Sequence, residues 1–198
     1  MKEKGPIEKA IKALSRLPGI GEKSASRMVY WLLGEGKEIL PELAKVFSEL
    51  KEEVKVCSVC GDFSVSDPCG ICQDSSRDQS LLMVAEDGKA LKVIEKTGSF
   101  KGKYHILGGL LSPRFAIGPE KLRINELIKR LESGQIKEVI LALSSSQEGE
   151  ATAQWLLDKL KHLPVKISRL ARGMPVAANL EYLDQESLKL AIEGRKEI

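Results

Sequence analysis

Cys57-Ser-Val-Cys60-Gly-Asp-Phe-Ser-Val-Ser-Asp-Pro-Cys69-Gly-Ile-Cys72 contains every cysteine of the chain. Two Cys-x2-Cys hooks separated by eight residues suit the four tetrahedral positions of a single Zn²⁺, with Zn–S distances of about 2.3 Å. Two sulfurs from one short hook can reach the same ion only if the backbone turns back on itself, and Gly61 and Gly70 are placed to allow that. Four thiolates leave no position for water, so the spacing predicts one structural Zn²⁺ per chain, a metal that folds its segment and catalyses nothing. Disulfides would need an oxidising compartment, and a dithiol redox site would need one hook rather than two. The acidic residues around the hooks, Asp62, Asp67 and Asp74, with Arg77 as the local cation, make the segment a poor grip for phosphate. It reads instead as a rigid joint between what lies before and after it.

What lies before it is helical. Ile7, Ala10, Ile11 and Leu14 fall at i, i+3, i+4 and i+7; Ala25, Met28, Val29 and Leu32 repeat the spacing, and Leu43, Val46, Phe47 and Leu50 repeat it again. Leu17-Pro18-Gly19-Ile20-Gly21 between the first two stripes is long enough only for a tight hairpin. Gly34 and Gly36 end the second helix, and Pro41 suits the first turn of the third.

After the hooks the period changes. Apolar runs at Leu81–Ala85, Tyr104–Leu107, Val139–Leu143 and Val165–Leu170 read as strands. Helical stripes fall between them at Ala90–Ile94, Ile124–Leu131 and Ala153–Leu160. That alternation predicts a mostly parallel sheet with helices on its faces. A short helix around Leu188, Ala191 and Ile192 follows in a C-terminal arm. The fold class is therefore multi-domain α+β: a helical hairpin domain over residues 1–54, a four-cysteine zinc finger over 55–77, an α/β domain over 78–172, and an arm over 173–198.

The net charge of +3, with 30% charged residues, is too balanced for a polycation, so any anion site must be a local cluster. The N-terminus carries no apolar signal region and no run approaches a membrane span of roughly 18 residues, which points to a cytoplasmic protein without membrane partners. The clearest cluster is at the hairpin. Gly19 and Gly21 leave backbone N–H groups pointing outward at the N-terminus of the second helix, where the dipole favours an anion. Lys23 and Arg27 stand one turn apart, away from the apolar stripe. Neither a Walker A loop nor a dinucleotide fingerprint fits, because Glu22 precedes the lysine and Ser24 stands where the third glycine is needed. Leu-Pro-Gly-Ile-Gly-x-Lys-x-Ala is similar to the helix-hairpin-helix motif of DNA-binding proteins, whose contacts grip the phosphate backbone without reading bases. An ordinary helical hairpin is the other reading.

In the α/β region, Glu86 ends the first strand, and Glu148-Gly149-Glu150 follows the third. Chemistry gathers at the carboxyl ends of parallel strands, and one carboxylate plus an i, i+2 pair is a candidate Mg²⁺ site. The arrangement resembles the Toprim fold of topoisomerases and primases, with glutamates in place of the Asp-x-Asp pair. Three readings stand: metal catalysis of a nuclease or primase-like kind, a partner-binding acidic site, and solvated carboxylates at a helix start.

The whole order resembles the RecR family of bacterial recombination mediators. The resemblance is carried by Leu17–Gly21, by the cysteine spacing and by Thr97-Gly-Ser-Phe-Lys-Gly-Lys-Tyr-His-Ile-Leu-Gly-Gly-Leu-Leu-Ser-Pro113. Ile117-Gly-Pro-Glu120, Glu148-Gly-Glu-Ala-Thr152, Ala171-Arg-Gly-Met-Pro-Val176 and Leu180-Glu-Tyr182 add to it. The family implies a non-enzymatic, DNA-binding clamp of recombinational repair. Such proteins assemble from dimers to ring-like tetramers and act with RecO and RecF to load RecA onto gapped DNA. Lys23 and Arg27 would then face DNA, with Glu86, Glu148 and Glu150 facing RecO. Ser144-Ser-Ser-Gln147 and Val176-Ala-Ala-Asn179 depart from the family's Asn-Pro-Thr and Val-Gly-Gly-Asp segments. With no Walker A loop to accompany the latter, no ATPase activity is expected. Lys166, Arg169 and Arg172 either extend a basic band around the ring or are solvated strand-edge charge.

Overall fold

A computed structural model of the chain describes residues 5–171, 174 and 179–195. It divides into two compact units, residues 1–54 and 55–198.

The first unit contains α1 (Pro6–Leu14), α2 (Glu22–Leu33), a single 3₁₀ turn at Lys37–Ile39, and α3 (Leu40–Glu53). Proline starts α1 and sits in the first turn of α3, where its missing N–H costs nothing. The core of this unit is thin. Ala25 and Val29 are buried, but Met28 is exposed, and so are Val46, Phe47 and Leu50 of the third stripe. The helical period of α3 is as expected, yet its apolar face is left uncovered by the described residues.

The second unit opens with a two-stranded antiparallel ribbon, β1 (Lys55–Val56) and β2 (Phe63–Ser64), and a single helical turn, α4 (Gly70–Gln73). It continues through β3 (Asp78–Ala85), α5 (Gly88–Thr97), β4 (Gly102–Ile106), α6 (Ile124–Glu132), β5 (Glu138–Ala142), α7 (Gln147–Leu160) and β6 (Lys166–Arg169). The four long strands form one parallel sheet in the order β4-β3-β5-β6. Alternate residues explain why these runs are apolar throughout. Leu82, Val84, Val139 and Leu141 face the layer holding Leu127 and Leu131 of α6 and Leu156 and Leu160 of α7. Met83, Ala85, Ile140 and Ala142 face Leu91 and Ile94 of α5 and Ile71 of α4. A sheet buried on both faces needs hydrophobic residues in both parities.

From β3 the chain crosses to β4 on one side, then returns past β3 to β5 on the other. The resulting switch point puts a crevice at the carboxyl ends of β3 and β5. A 3₁₀ turn at Leu180–Tyr182 and α8 (Gln185–Glu193), capped by Asp184 accepting from Ser187 N at 2.9 Å, complete the described residues. Arg172 and residues 176–178, singled out from the sequence, lie outside them.

Candidate nucleic-acid hairpin, metal centre and acidic crevice

The hairpin is held by short-range backbone bonds, with Leu17 N donating to Leu14 O at 3.0 Å and Ile20 N to Leu17 O at 3.1 Å. The two glycines do different things. Gly19 takes φ +79°, a left-handed conformation that L residues adopt only under strain. Gly21 is the N-cap of α2 with extended geometry (φ −81°, ψ 167°), and a Cβ there would meet no atom within 4 Å. No side chain caps this helix, so its first-turn amides face an open approach. Lys23 and Arg27, both exposed, line one shallow depression there with Ile11, Glu22 and Ser26. Neither cation pairs with a carboxylate among the described residues.

The cysteines converge in the second unit. Gly61, at φ +85°, closes the first knuckle, with Gly61 N donating to Cys57 O at 2.9 Å and Cys57 N to Asp62 O at 2.8 Å. Gly70 behaves otherwise than the sequence suggested. It is the first residue of α4, keeps a negative φ and has open space beside it, so the helical turn rather than glycine freedom shapes the second knuckle. All four Sγ atoms lie within 4.8 Å of one another, with Cys57–Cys72 at 3.9 Å and Cys60–Cys69 at 3.6 Å. Zn–S bonds of about 2.3 Å in a tetrahedron require S–S edges of about 3.8 Å, so the quartet fits the ion. The hydrogen-bonding contact with Cys72 brings the Cys60 thiol down to about 5, and the same contact, with burial behind it, pushes Cys72 up. A bound cation displaces the protons that remain. The four cysteines thus hold one structural zinc.

The α/β layer reaches the finger with residues that the sequence did not single out. Lys103 Nζ donates to the carbonyls of Ile71, Cys72 and Asp74 at 2.9, 3.0 and 2.7 Å. Ile106 N donates to Cys60 O at 2.7 Å, and Arg123 packs where a Cβ on Gly61 would stand. Arg77 leaves the finger to pair with Glu95 of α5, and Glu95 also accepts from Tyr104 Oη at 2.6 Å. Together these bonds seal β4, an edge strand buried along its whole length.

At the switch point, Glu86 Oε2 accepts from Ser144 N at 3.3 Å. Glu86 and Glu148 line one crevice with Asp87, Ser112 and Phe115. Asp87, beside them, caps α5 by accepting from Lys89 N and Ala90 N at 2.9 Å. Gly149 is forced by packing, since a Cβ would lie 2.0 Å from Ser144 O. Glu150 does not join the other two carboxylates as a third metal arm. Arg169 donates to both its oxygens, at 3.0 and 2.8 Å. Among the described residues, the cysteine quartet is the one group of three or more such ligands gathered closely enough for a metal. The basic strand edge is likewise partly neutralised, because Lys166 pairs with Glu138 at 3.2 Å. No helix among the described residues is long and apolar enough to cross a membrane.

Comparison with known families follows the same order of parts. The helix-hairpin-helix domain of RecR matches residues 7–50, the four-cysteine zinc-finger domain of RecR matches 54–74, and the Toprim domain matches 80–171. The protein named Recombination protein RecR from Pelotomaculum thermopropionicum is 47% identical over 193 residues, covering 98% of this chain and 96% of its own length. The protein of the same name from Acidothermus cellulolyticus is 45% identical over 194 residues and 98% of both chains. That from Desulfatibacillum aliphaticivorans is 47% identical over 185 residues and 93% of both. Identity at this level across the helical, zinc and α/β parts alike makes the chain a member of the RecR family of recombination proteins.

Proposed function

We propose that this chain is a non-enzymatic, sequence-independent DNA-binding mediator of recombinational repair, whose hairpin grips phosphate through Lys23, Arg27 and the first-turn amides of α2. The observation that carries the reading is the meeting of two exposed cations, unpaired among the described residues, with an uncapped helix N-terminus. Backbone amides and side-chain cations then converge on one small anion site. Such a site carries no base recognition.

Assembly into a ring-like clamp is part of the proposal. An apolar groove lined by Leu14, Val29, Leu33, Leu40 and Phe47 supports it, since an uncovered face of this kind favours burial against a second copy. Repetition of Lys23 and Arg27 around a lumen would turn a two-residue cluster into a band. Action with RecO and RecF to load RecA on gapped DNA, with Glu86 and Glu148 as the acidic face toward RecO, completes the reading.

Binding of the Lys23→Ala, Arg27→Ala double variant to a gapped duplex tests it. Affinity should fall for all sequences alike, and the log–log salt slope should flatten by up to about 0.9 for each duplex phosphate no longer gripped. Unchanged affinity at low salt would remove the hairpin as the contact surface. Sizing of the wild-type protein with and without the duplex reports the assembly in the same series.

A further inference from the structure

Two cations of the α/β layer are withdrawn from water without an acidic partner among the described residues. Lys103 is 3% exposed, and its ammonium is satisfied by the three carbonyls at the exit of the second knuckle. Arg130, from α6, is half-buried and donates to Tyr104 O at 2.6 Å on the outer edge of β4. Among the described residues, neither lies within 4.0 Å of a carboxylate. Partly buried arginines of the same surface are paired, Arg77 with Glu95 and Arg123 with Glu126. Carbonyl dipoles solvate a cation but do not cancel its charge, and buried charge is retained where an opposite charge lies near.

The anion available is the metal centre itself. Four thiolates around Zn²⁺ carry a net charge of −2, and a lysine with an arginine supplies +2. Lys103 sits against the backbone of Cys72, one of the ligands. Arg130 is tied to Tyr104 O on the same short strand, between Lys103, which bonds the Cys72 carbonyl, and Ile106, whose N–H bonds the Cys60 carbonyl.

We propose that Lys103 and Arg130 are the counter-charges of the zinc tetrathiolate, so that the α/β domain, 31 residues beyond Cys72 in the first case, completes the metal site electrostatically. The finger is then not an autonomous module. Its affinity for zinc depends on docking against β4 and α6, and docking depends in turn on the metal's charge. Outer residues of this kind tune metal affinity by about 10- to 100-fold elsewhere.

The experiment is zinc extraction from the full-length protein by a graded series of a chromogenic chelator. The wild type is compared with Arg130→Gln, Arg130→Lys and Lys103→Gln. Glutamine keeps an N–H donor for the carbonyls and removes the charge, whereas Arg130→Lys keeps the charge and changes the shape. The proposal expects both glutamine variants to release zinc with about 10-fold or greater loss of affinity and Arg130→Lys to stay near the wild type. A purely structural role predicts instead that Arg130→Lys and Arg130→Gln lose zinc alike, and that result overturns the proposal. Unchanged extraction in both glutamine variants overturns it too. Should the glutamine variants be insoluble, recovery by excess zinc during expression supports the proposal. Insolubility at any zinc level, shared by Arg130→Lys, counts against it.

Discussion

Arg169 and Glu150 form a bidentate ion pair, with Nη1–Oε2 at 3.0 Å and Nη2–Oε1 at 2.8 Å, joining the end of β6 to the first turn of α7. Glu148, two residues earlier, instead faces the crevice with Glu86. The i, i+2 acidic pair is therefore split: of the three carboxylates that stand in the Toprim pattern, only Glu86 and Glu148 line the crevice, beside Asp87, whose carboxylate is engaged in capping α5. Mg²⁺ demands near-octahedral oxygen geometry at about 2.1 Å and tolerates such a loss poorly.

Labelled gapped DNA incubated with the protein and Mg²⁺ or Mn²⁺ should accordingly remain intact. Metal-dependent cleavage that disappears in Glu86→Gln would reverse the non-enzymatic reading and restore the nuclease alternative. Arg169→Ala should cost about 1 kcal/mol or less in urea denaturation, since both partners are partly solvated.

The hairpin glycines should separate stability from binding. Gly19→Ala places a Cβ on a left-handed backbone and should destabilise the first unit by about 1–2 kcal/mol. Gly21→Ala has room and an allowed backbone, so its only cost is the poorer N-cap, about 0.5–1 kcal/mol. Its methyl group nevertheless stands beside the amides offered to phosphate, so DNA affinity should drop. A Gly21→Ala protein with full affinity would show that DNA does not approach this turn.

Acid should weaken the fold in two steps. His105 is fully buried, with Nε2 donating to Arg123 O at 2.7 Å and Nδ1 without a partner among the described residues, and burial lowers its pKa to about 4. The unfolded chain takes up that proton near 6.5, so stability falls as pH drops from about 6.5 to about 4, by about 3 kcal/mol. Glu95 is held below the ordinary glutamate range by Arg77, so its contribution is present above about 4.3 and is lost only at lower pH. Urea midpoints across this range should show His105→Gln flattening the first step and sparing the second. An unchanged slope between pH 6.5 and 4 would mean that another group titrates there.

Removing one zinc ligand should be felt beyond the finger. Cys60→Ser should reduce bound zinc and raise amide hydrogen exchange at Ile106, whose N–H bonds to Cys60 O. Protein-wide destabilisation should follow, because β4 would regain an open edge. Zinc content by atomic absorption and exchange over residues 102–106 provide the check, and undiminished protection at Ile106 would contradict the coupling.

The local parts of this molecule were legible in the amino-acid order. Hook spacing, helical period, turn glycines and apolar strand runs act over a few residues, where φ/ψ preferences and side-chain direction decide the outcome, so Cys57, Cys60, Cys69 and Cys72 and the order of elements could be read directly. The same reasoning put Lys23 and Arg27 on one helix face, since four residues make about one turn. Only the tertiary structure decided what met across the sheet. Strand order brings Arg169 to Glu150 and Lys103 to Ile71, Cys72 and Asp74, pairings of 19 and 29 to 32 residues that no local period encodes. It also set the buried Lys103 against an acidic-looking finger, because Coulombic interactions add by distance in space rather than along the chain. The exposed stripe on α3 shows the same division from the other side: its period specifies a helix with an apolar face, and the partner for that face is not supplied by the described residues of this chain.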